Sequence, residues 1–450
     1  MQTLPSPPKT ITPFARAIRN TGYLLGGSGV GAVFGFLTIV FASRSLGLHD
    51  YGILILIHAF TGTLATVTRL QTWQPMLQFG TALHEAQERS RFQTLLRHCL
   101  MLDGLGAVAA VIIGVPVSLL CSHWLGWGHY EKIAALYVTC ALFMNTGATM
   151  GVMQLADRYK MMAIADNLGA FIRFIGSVAG FLLHWTLPDF LIFWYLSIVT
   201  AFSTDCLLLW RLTRLIPSLH GFHLKTKEWL SREDGFWKLL GPTSVDMVLN
   251  NLASRAGTLI VGSVLGGTGV AIYNVAGQVG GMLMQPAIFL VPALYPEFVR
   301  LRDQQDWQGL RRIARRICQW LTLFGIAVLA VTYFAAPVIL TLMLGKHVPN
   351  AREILLWCVG GNIVGLVVMP LEPLLISLGY AKAVLYTRLS VLLPYMPILY
   401  IFAYKGGIIG AIVAGFIAAC FMSGTRLVLF TRTYQSDAGH KKHTRSPSKP

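Results

Sequence analysis

Twelve apolar runs recur along this 450-residue chain, and they restrict the folds open to it. A helix needs about 20 mostly apolar residues to cross the hydrocarbon core of a bilayer. Each run therefore predicts one membrane span, and together they predict an all-α integral membrane protein with twelve transmembrane helices. The runs cover residues 21–43, 51–75, 99–122, 133–155, 166–185, 189–210, 242–264, 268–295, 319–343, 353–378, 383–403 and 406–430.

The composition excludes several other classes of protein. Only 12% of the residues are charged and 54% are apolar, whereas soluble domains carry about 25% charged residues. An ordinary soluble enzyme, a disordered protein and a secreted disulfide scaffold are thereby excluded. The seven cysteines are odd in number and lie scattered through the apolar runs, so we interpret them as buried free thiols rather than disulfide partners or metal ligands.

The distribution of basic residues predicts the orientation of the chain. With the N-terminus placed in the cytoplasm, 26 of the 36 Lys and Arg residues fall in inside segments and 5 in outside loops. Such a bias follows the positive-inside rule, so both termini are predicted to be cytoplasmic. The net charge of +17 is then explained by anionic membrane lipids, and the sequence predicts no nucleic-acid partner.

The longest polar stretch between spans, 211–241, separates six spans from six. The first apolar run is long and lacks a small-residue cleavage site, so we expect a retained helix rather than a signal peptide. The predicted organisation is a cytoplasmic N-terminal segment 1–20, an N-lobe 21–210, a cytoplasmic linker 211–241, a C-lobe 242–432 and a disordered basic cytoplasmic tail 433–450.

Short matches between the two halves indicate an internal repeat. Leu24-Leu25-Gly26 recurs 215 positions later as Leu239-Leu240-Gly241, and Leu46-Gly47 recurs as Leu265-Gly266 at a nearby offset. Six spans in each half give both halves the same orientation. The sequence therefore predicts two six-helix lobes related by pseudo-two-fold symmetry about an axis along the membrane normal.

Two segments near the start of the chain resemble a known family. Residues 44–52 (Arg-Ser-Leu-Gly-Leu-His-Asp-Tyr-Gly) resemble the R-x-L-G-x-x-x-Y-G junction after the first helix of polysaccharide (O-antigen type) flippases, and residues 72–80 resemble the end of their second helix. The family belongs to a superfamily with MATE exporters and lipid II flippases, and the twelve-span layout is similar. MATE-type drug exporters often carry an acid in the first span, and 21–43 has none.

This resemblance implies a MATE-like fold and a function. The implied function is movement of an undecaprenyl-diphosphate-linked oligosaccharide to the outer leaflet of the bacterial inner membrane, by alternating access through a central cationic cavity. Polysaccharide-assembly proteins are the implied protein partners, and the implied products are lipopolysaccharide O-antigen or exopolysaccharide. Sugars and diphosphates lose their water without replacement in hydrocarbon, so a polar cavity is needed for the head group.

Intramembrane cations are the candidate substrate-binding residues, because charges within a span are costly and are usually functional. Arg255 lies deepest, about 18–20 Å into the seventh span, and a structural pairing with Asn251 one turn earlier is the alternative. Arg69 lies late in the second span. Arg173 and Arg388 enter their spans by only one or two turns, so snorkelling to the interface competes with a cavity role.

Two acids suggest a site for a coupling cation. Asp246 and Glu372 are predicted at similar depth, roughly 10 Å from the cytoplasmic face, and Glu372 lies between Pro370 and Pro373, which should free backbone carbonyls. Together with Asn250 they form a candidate Na⁺ or H⁺ site. The alternative is a kink residue with a local cation partner. No other cofactor is expected.

Competing functions remain open at this stage. A cation-coupled exporter of drugs or metabolites is the alternative transport function. An integral-membrane polymerase or glycosyltransferase is disfavoured, because each predicted outside loop has about ten residues or fewer and no loop holds paired carboxylates. The chain is therefore predicted not to be an enzyme. A membrane scaffold would leave the repeat and the deep Arg255 unexplained.

Overall fold

A computed structural model describes residues 13–224, 229–231, 233–288, 307–369, 371, 375 and 381–444. Within these ranges all regular secondary structure is helical. The helices are α1 (Pro13–Thr68), α2 (Trp73–Glu85), α3 (Arg89–Leu120), α4 (Ser122–Leu125), α5 (Glu131–Val138), α6 (Gly147–Leu155), α7 (Tyr159–Leu182), α8 (Leu187–Leu215), α9 (Phe236–Ile288), α10 (Trp307–Leu344), α11 (Ala351–Val368) and α12 (Ala381–Thr444).

Three helices are interrupted by a glycine in a conformation that other residues rarely adopt. Gly47 in α1 has φ 75° and ψ 170°, Gly266 in α9 has φ 64° and ψ −167°, and Gly407 in α12 has φ 59° and ψ −144°. Only glycine reaches this region at low cost. The two glycines of the repeated Leu-Gly pair, Gly47 and Gly266, therefore form equivalent one-residue turns.

These turns reconcile the helices with the predicted spans. The described part of the chain contains nine helical stretches long and apolar enough to cross a membrane, and three of them contain Gly47, Gly266 or Gly407. At 1.5 Å per residue, the 56-residue α1 would extend about 84 Å if straight, far beyond a hydrocarbon core of about 30 Å. Each interrupted stretch holds two spans, which confirms the twelve-span all-α architecture.

The fourth predicted span, 133–155, is present but its helix is broken. After α5 the chain forms a 3₁₀ turn over Thr139–Phe143, and α6 begins only at Gly147. The buried carboxylate of Asp103 in α3 accepts the backbone N–H of Ala148 at 2.7 Å and the hydroxyl of Thr72 at 2.7 Å. Asp103 thus caps the second half of this span, as half-helices in membranes require.

The chain divides between Ala271 and Ile272 into two compact units. In the first unit, α1 packs along α7. Phe34 contacts Phe171 and Phe174 at ring-centroid distances of 5.2 and 5.6 Å, and a side chain at Gly31 would meet the Asn167 amide. Small residues at such contacts let membrane helices approach closely, and this packing places the middle of α7 beside α1.

The first part of α9 belongs to the first unit because it packs on α1. A Cβ at Gly52 would collide with the backbone of Gly267, and one at Gly262 would collide with Leu56. The unit boundary therefore differs from the predicted linker 211–241. The six-and-six division into lobes stays a prediction.

The segment predicted as the linker packs against α3 where the structure describes it. Ile216, Leu219 and Phe236 lie buried in one core cluster with residues of α3. Arg91 of α3 binds Glu233 at 2.9 Å, and the His98 ring stacks on Phe236 at 4.6 Å.

The second unit has a smaller described core, in which Leu321, Val359 and Ile363 join α10 to α11. The last helix continues to Thr444, whereas the sequence predicts a disordered tail from residue 433. The first proline after the span is Pro447, so no proline stops the helix before then. All seven cysteines are free, as predicted, but only Cys99 and Cys140 are buried, and Cys206 and Cys420 are exposed.

Candidate functional site

Arg255 lies in the first unit, against the face of α1 that carries Gly62. The guanidinium group of Arg255 occupies the space in which a side chain at residue 62 would stand. His58 lies one turn before Gly62, so the two residues share a helix face. His58 follows the Gly47 turn by eleven positions and Arg255 precedes the Gly266 turn by eleven, about 16 Å in each case. Because Gly52 and Gly267 are in contact just beyond these turns, His58 and Arg255 lie at similar depth.

Arg173 lies well inside helix α7. Helix α7 begins at Tyr159, not near residue 166, so Arg173 follows its start by about 21 Å. Its guanidinium carbon lies 5.4 Å from the ring centroid of Trp194 in α8. Its Nε atom is buried without a hydrogen-bond partner among the described residues. The helix thus begins seven residues before the apolar run 166–185, and the predicted depth of Arg173 in the membrane stays a prediction.

His58 joins these two cations. Its Nδ1 atom is hydrogen-bonded to the hydroxyl of Tyr137 at 2.8 Å, and its ring meets Trp194 edge-on at 5.1 Å. Arg173 and Arg255 both lie within electrostatic range of His58. We call His58, Arg173 and Arg255 the Arg–His cluster; its residues come from α1, α7 and α9.

Among the described residues, no acid is paired with the arginines of the Arg–His cluster, Arg173 and Arg255. The contact of Arg173 with Trp194 offsets part of the cost of burial, because cation–π contacts contribute about 0.5–2 kcal/mol. Two uncompensated guanidinium groups within spans are typical of a water-filled cavity or an anion-binding site. Their forked donors suit phosphate oxygens.

Arg69 lies in a different place. It follows His58 by eleven positions, about 16 Å along the helix direction, and it lies within electrostatic range of the capping carboxylate of Asp103. Asp103 thus supplies a local anion for Arg69. The structure does not bring Arg69 into the Arg–His cluster, and its predicted role in substrate binding stays a prediction.

The other predicted substrate residues are distributed over both units. The Asn251 amide donates to the backbone carbonyl of Met247 at 2.9 Å. Arg388 is buried in α12 of the second unit. Both remain predicted substrate-binding residues.

The predicted cation site falls largely outside the described residues. Asp246 is exposed in α9. Glu372 is not among the described residues, and neither is the side chain of Asn250. The Na⁺ or H⁺ site at Asp246, Glu372 and Asn250 therefore stays a prediction.

Sequence reasoning missed three members of this neighbourhood: His58, Tyr137 and Trp194. A signal for His58 exists, because it is the one ionisable side chain in the apolar run Gly52–Thr68, and an intramembrane histidine is a functional candidate by default. Tyr137 and Trp194 carry no comparable signal, since aromatic residues are common throughout such spans.

The helical fold with twelve spans defines a multi-pass membrane protein. The model of the polysaccharide biosynthesis protein family matches residues 17–302, which is more than half of the chain, and the MatE model matches residues 242–401. The chain belongs to the polysaccharide biosynthesis protein family. This finding confirms the resemblance seen in residues 44–52 and 72–80.

Comparisons with individual proteins agree with this assignment. The inner membrane protein YghQ of Escherichia coli (strain K12) is 25% identical over 297 residues, covering 65% of this chain and 84% of that protein. An inward-facing multidrug resistance MATE family transporter of the MOP superfamily superposes with a TM-score of 0.70 at 14% identity, covering 90% and 95% of the two chains.

A second solved structure shows the same fold. A MOP superfamily transporter from Pyrococcus furiosus, described with a binding pocket of reverse polarity, superposes with a TM-score of 0.61 at 14% identity, covering 94% of this chain and 96% of that one. These likenesses confirm the MATE-like fold. Both of these solved proteins are transporters.

Proposed function

We propose that the chain is a flippase that moves an undecaprenyl-diphosphate-linked oligosaccharide from the cytoplasmic to the outer leaflet of the bacterial inner membrane. The products would be O-antigen, as in lipopolysaccharide, or exopolysaccharide. The observation that carries this proposal is the Arg–His cluster, in which Arg173 and Arg255 flank His58 within the membrane-spanning helices of the first unit. The substrate would bind to this cluster through its anionic diphosphate.

The chemistry of such a substrate matches the cluster. A diphosphate carries several negative oxygens, and arginine donors bind phosphate oxygens in pairs. Two cations without acidic partners offset the cost of bringing these charges out of water. The hydrocarbon part of the lipid needs no such site, since it remains soluble in the bilayer. Alternating access of the two predicted lobes would then carry the head group across.

The test is transport by the purified protein in phospholipid vesicles. A fluorescent undecaprenyl-diphosphate oligosaccharide is added, and its appearance in the opposite leaflet is measured for the native protein, Arg255→Ala and Arg255→Lys. We expect Arg255→Ala to lose most transport and Arg255→Lys to retain part of it. Equal transport by all three would remove Arg255 from the mechanism, and no transport of several lipid-linked glycans by the native protein would contradict the flippase proposal.

A cation-coupled exporter is the second candidate, and the match of the MatE model to residues 242–401 favours it. The absence of an acid from the first predicted span, 21–43, counts against it. Measurements in the same vesicles distinguish the two functions. Cation-driven efflux of an amphiphilic dye without glycolipid movement would support the exporter.

The coupling ion and orientation are further parts of the proposal. Na⁺ or H⁺ would bind at Asp246, Glu372 and Asn250. Dissipating the gradient of the coupling ion should therefore slow transport by the native protein. Asp246→Asn should transport slowly in both conditions, with no additional loss when the gradient is dissipated. Both termini are proposed to be cytoplasmic, with polysaccharide-assembly proteins as partners. Reporter fusions at each terminus that are active only in the cytoplasm test this orientation.

A further inference from the structure

The two ring nitrogens of His58 lie in different surroundings. Nδ1 is hydrogen-bonded to the hydroxyl of Tyr137 at 2.8 Å. The structure shows no hydrogen-bond partner for Nε2 within the described ranges, and Nε2 is not among the polar atoms buried there without a partner. His58 is only partly buried, so Nε2 is accessible to a ligand.

The hydroxyl of Tyr137 determines which nitrogen of His58 carries the proton. Tyr137 is 2% exposed, and within the described ranges the hydrogen-bond partner of its hydroxyl is His58 Nδ1. A proton on Nδ1 would leave the O–H of Tyr137 buried without an acceptor, which is costly. The hydroxyl therefore donates to Nδ1, and the neutral imidazole carries its proton on Nε2.

The Nε2–H of His58 belongs to the same neighbourhood as the two guanidinium groups. Arg255 fills the space at Gly62, one turn after His58 on the same face of α1. The guanidinium carbon of Arg173 lies 5.4 Å from the ring centroid of Trp194, and the His58 ring centroid lies 5.1 Å from it. One neutral donor thus stands beside two charged ones.

We propose that His58 is a third anion ligand of the Arg–His cluster, which donates its Nε2–H to a phosphate oxygen, and that Tyr137 is a positioning residue that holds this tautomer. The inference rests on the proposed function and adds a ligand to its diphosphate site. Each phosphate oxygen can accept more than one hydrogen bond, so a diphosphate bound by two guanidinium groups still has acceptors for His58. A neutral donor adds no third positive charge to the two arginines.

Two substitutions of His58 test the donor because they preserve different nitrogens of the ring. The amide nitrogen of glutamine reaches about as far as Nε2, and that of asparagine only as far as Nδ1. Binding of inorganic pyrophosphate to the purified full-length protein in detergent is compared with the native chain. His58→Gln should bind nearly as tightly, and His58→Asn roughly 10- to 100-fold more weakly. Native affinity in His58→Asn, or an equal loss in both variants, would overturn the donor role.

Tyr137→Phe tests the positioning role in a protein that keeps His58. Without the hydroxyl the imidazole proton can move to Nδ1, so pyrophosphate affinity should fall, by a smaller factor than in His58→Asn. The same substitution made in His58→Gln should cause no further loss, because glutamine has no tautomer to hold. An equal loss in both backgrounds would overturn the positioning role of Tyr137.

Tyr195→Phe is the matched control. The Tyr195 hydroxyl accepts a hydrogen bond from Thr139 at 3.2 Å, and its ring centroid lies 6.5 Å from that of Tyr137. This variant loses a nearby hydroxyl that does not contact His58, so pyrophosphate affinity should stay unchanged. Thermal unfolding of each variant identifies any loss that comes from misfolding. Failure of the native protein to bind pyrophosphate would overturn the proposed function, and the role of His58 with it.

Discussion

Gly62 and Arg255 share one space, because the guanidinium group of Arg255 stands where a side chain at residue 62 would project. Gly62→Ala should therefore displace this guanidinium without removing its charge. Loss of one charged hydrogen bond costs about 1.5–3 kcal/mol, so pyrophosphate affinity should fall roughly 10- to 100-fold. Binding to purified Gly62→Ala checks this.

Thermal stability separates this effect from misfolding. Alanine is favoured over glycine in a helix by roughly 0.5–1 kcal/mol, and Arg255 can move its flexible end aside. Gly62→Ala should therefore unfold at no lower temperature than the native protein. Gly29→Ala meets no neighbouring atom and should leave pyrophosphate affinity unchanged. Unchanged affinity in Gly62→Ala would show that Arg255 binds no anion in this position.

Arg173→Gln should also weaken pyrophosphate binding roughly 10- to 100-fold, because it removes one of the two cations beside His58. Arg173→Lys keeps the charge but loses the forked geometry, so an intermediate loss is expected. The control is Arg352→Gln. Arg352 lies 4.6 Å from the Tyr333 ring centroid, a similar cation–π contact, but near the beginning of α11. If Arg352→Gln weakens binding as much as Arg173→Gln, the effect comes from net charge alone.

The hydrogen bonds of the Asp103 carboxylate should stabilise the folded protein. Its carboxylate accepts hydrogen bonds from Thr72 and from the backbone N–H of Ala148. Asp103→Leu leaves that N–H buried without a partner, at a cost of about 1–3 kcal/mol. Asp103→Asn can still accept the N–H of Ala148 and donate to the Thr72 hydroxyl, so it should lose less. Thermal unfolding in detergent compares the stability of the two variants. Equal losses of stability would show that Asp103 does not stabilise the protein by capping α6.

Substituting the glycine of a one-residue turn should destabilise the folded protein. Gly47→Ala and Gly266→Ala each place a side chain in a backbone region that is essentially reserved for glycine, at about 1–3 kcal/mol. Gly277→Ala, in the helical part of α9 with no neighbouring atom in its way, should be neutral or stabilising. Thermal unfolding measures the difference. Similar midpoints for all three variants would show that the turns accept other residues.

The span architecture could be predicted from the sequence because the length of a membrane helix is fixed by the bilayer. The Leu-Gly pair that recurs in the sequence lies at two of the three turns, Gly47 and Gly266, although its recurrence was interpreted only as an internal repeat. The break before α6 could not be predicted, since it depends on Asp103, which lies on another helix. The start of α7 at Tyr159 could not be predicted from hydropathy either, because the helix begins before the apolar run 166–185.

The Arg–His cluster illustrates the same limit. Charge within a span identified Arg173 and Arg255 as candidates, but their meeting at His58 depends on how α1, α7 and α9 pack. Arg69 was also a candidate because its charge lies within a predicted span. It differs from Arg173 and Arg255 in having a carboxylate nearby, that of Asp103 on α3. Contacts between helices are not encoded in the periodicity of any one of them.

The turn at Gly47 also fixes the rotational phase of the helix that follows it. Successive residues in an α-helix are related by about 100°, and a one-residue turn has no second residue to absorb a change in length. A single insertion between Gly47 and His58 would rotate His58 and Gly62 away from Arg255 together. Natural variation in chain length should therefore accumulate outside this stretch, for instance in the polar segment between α8 and α9.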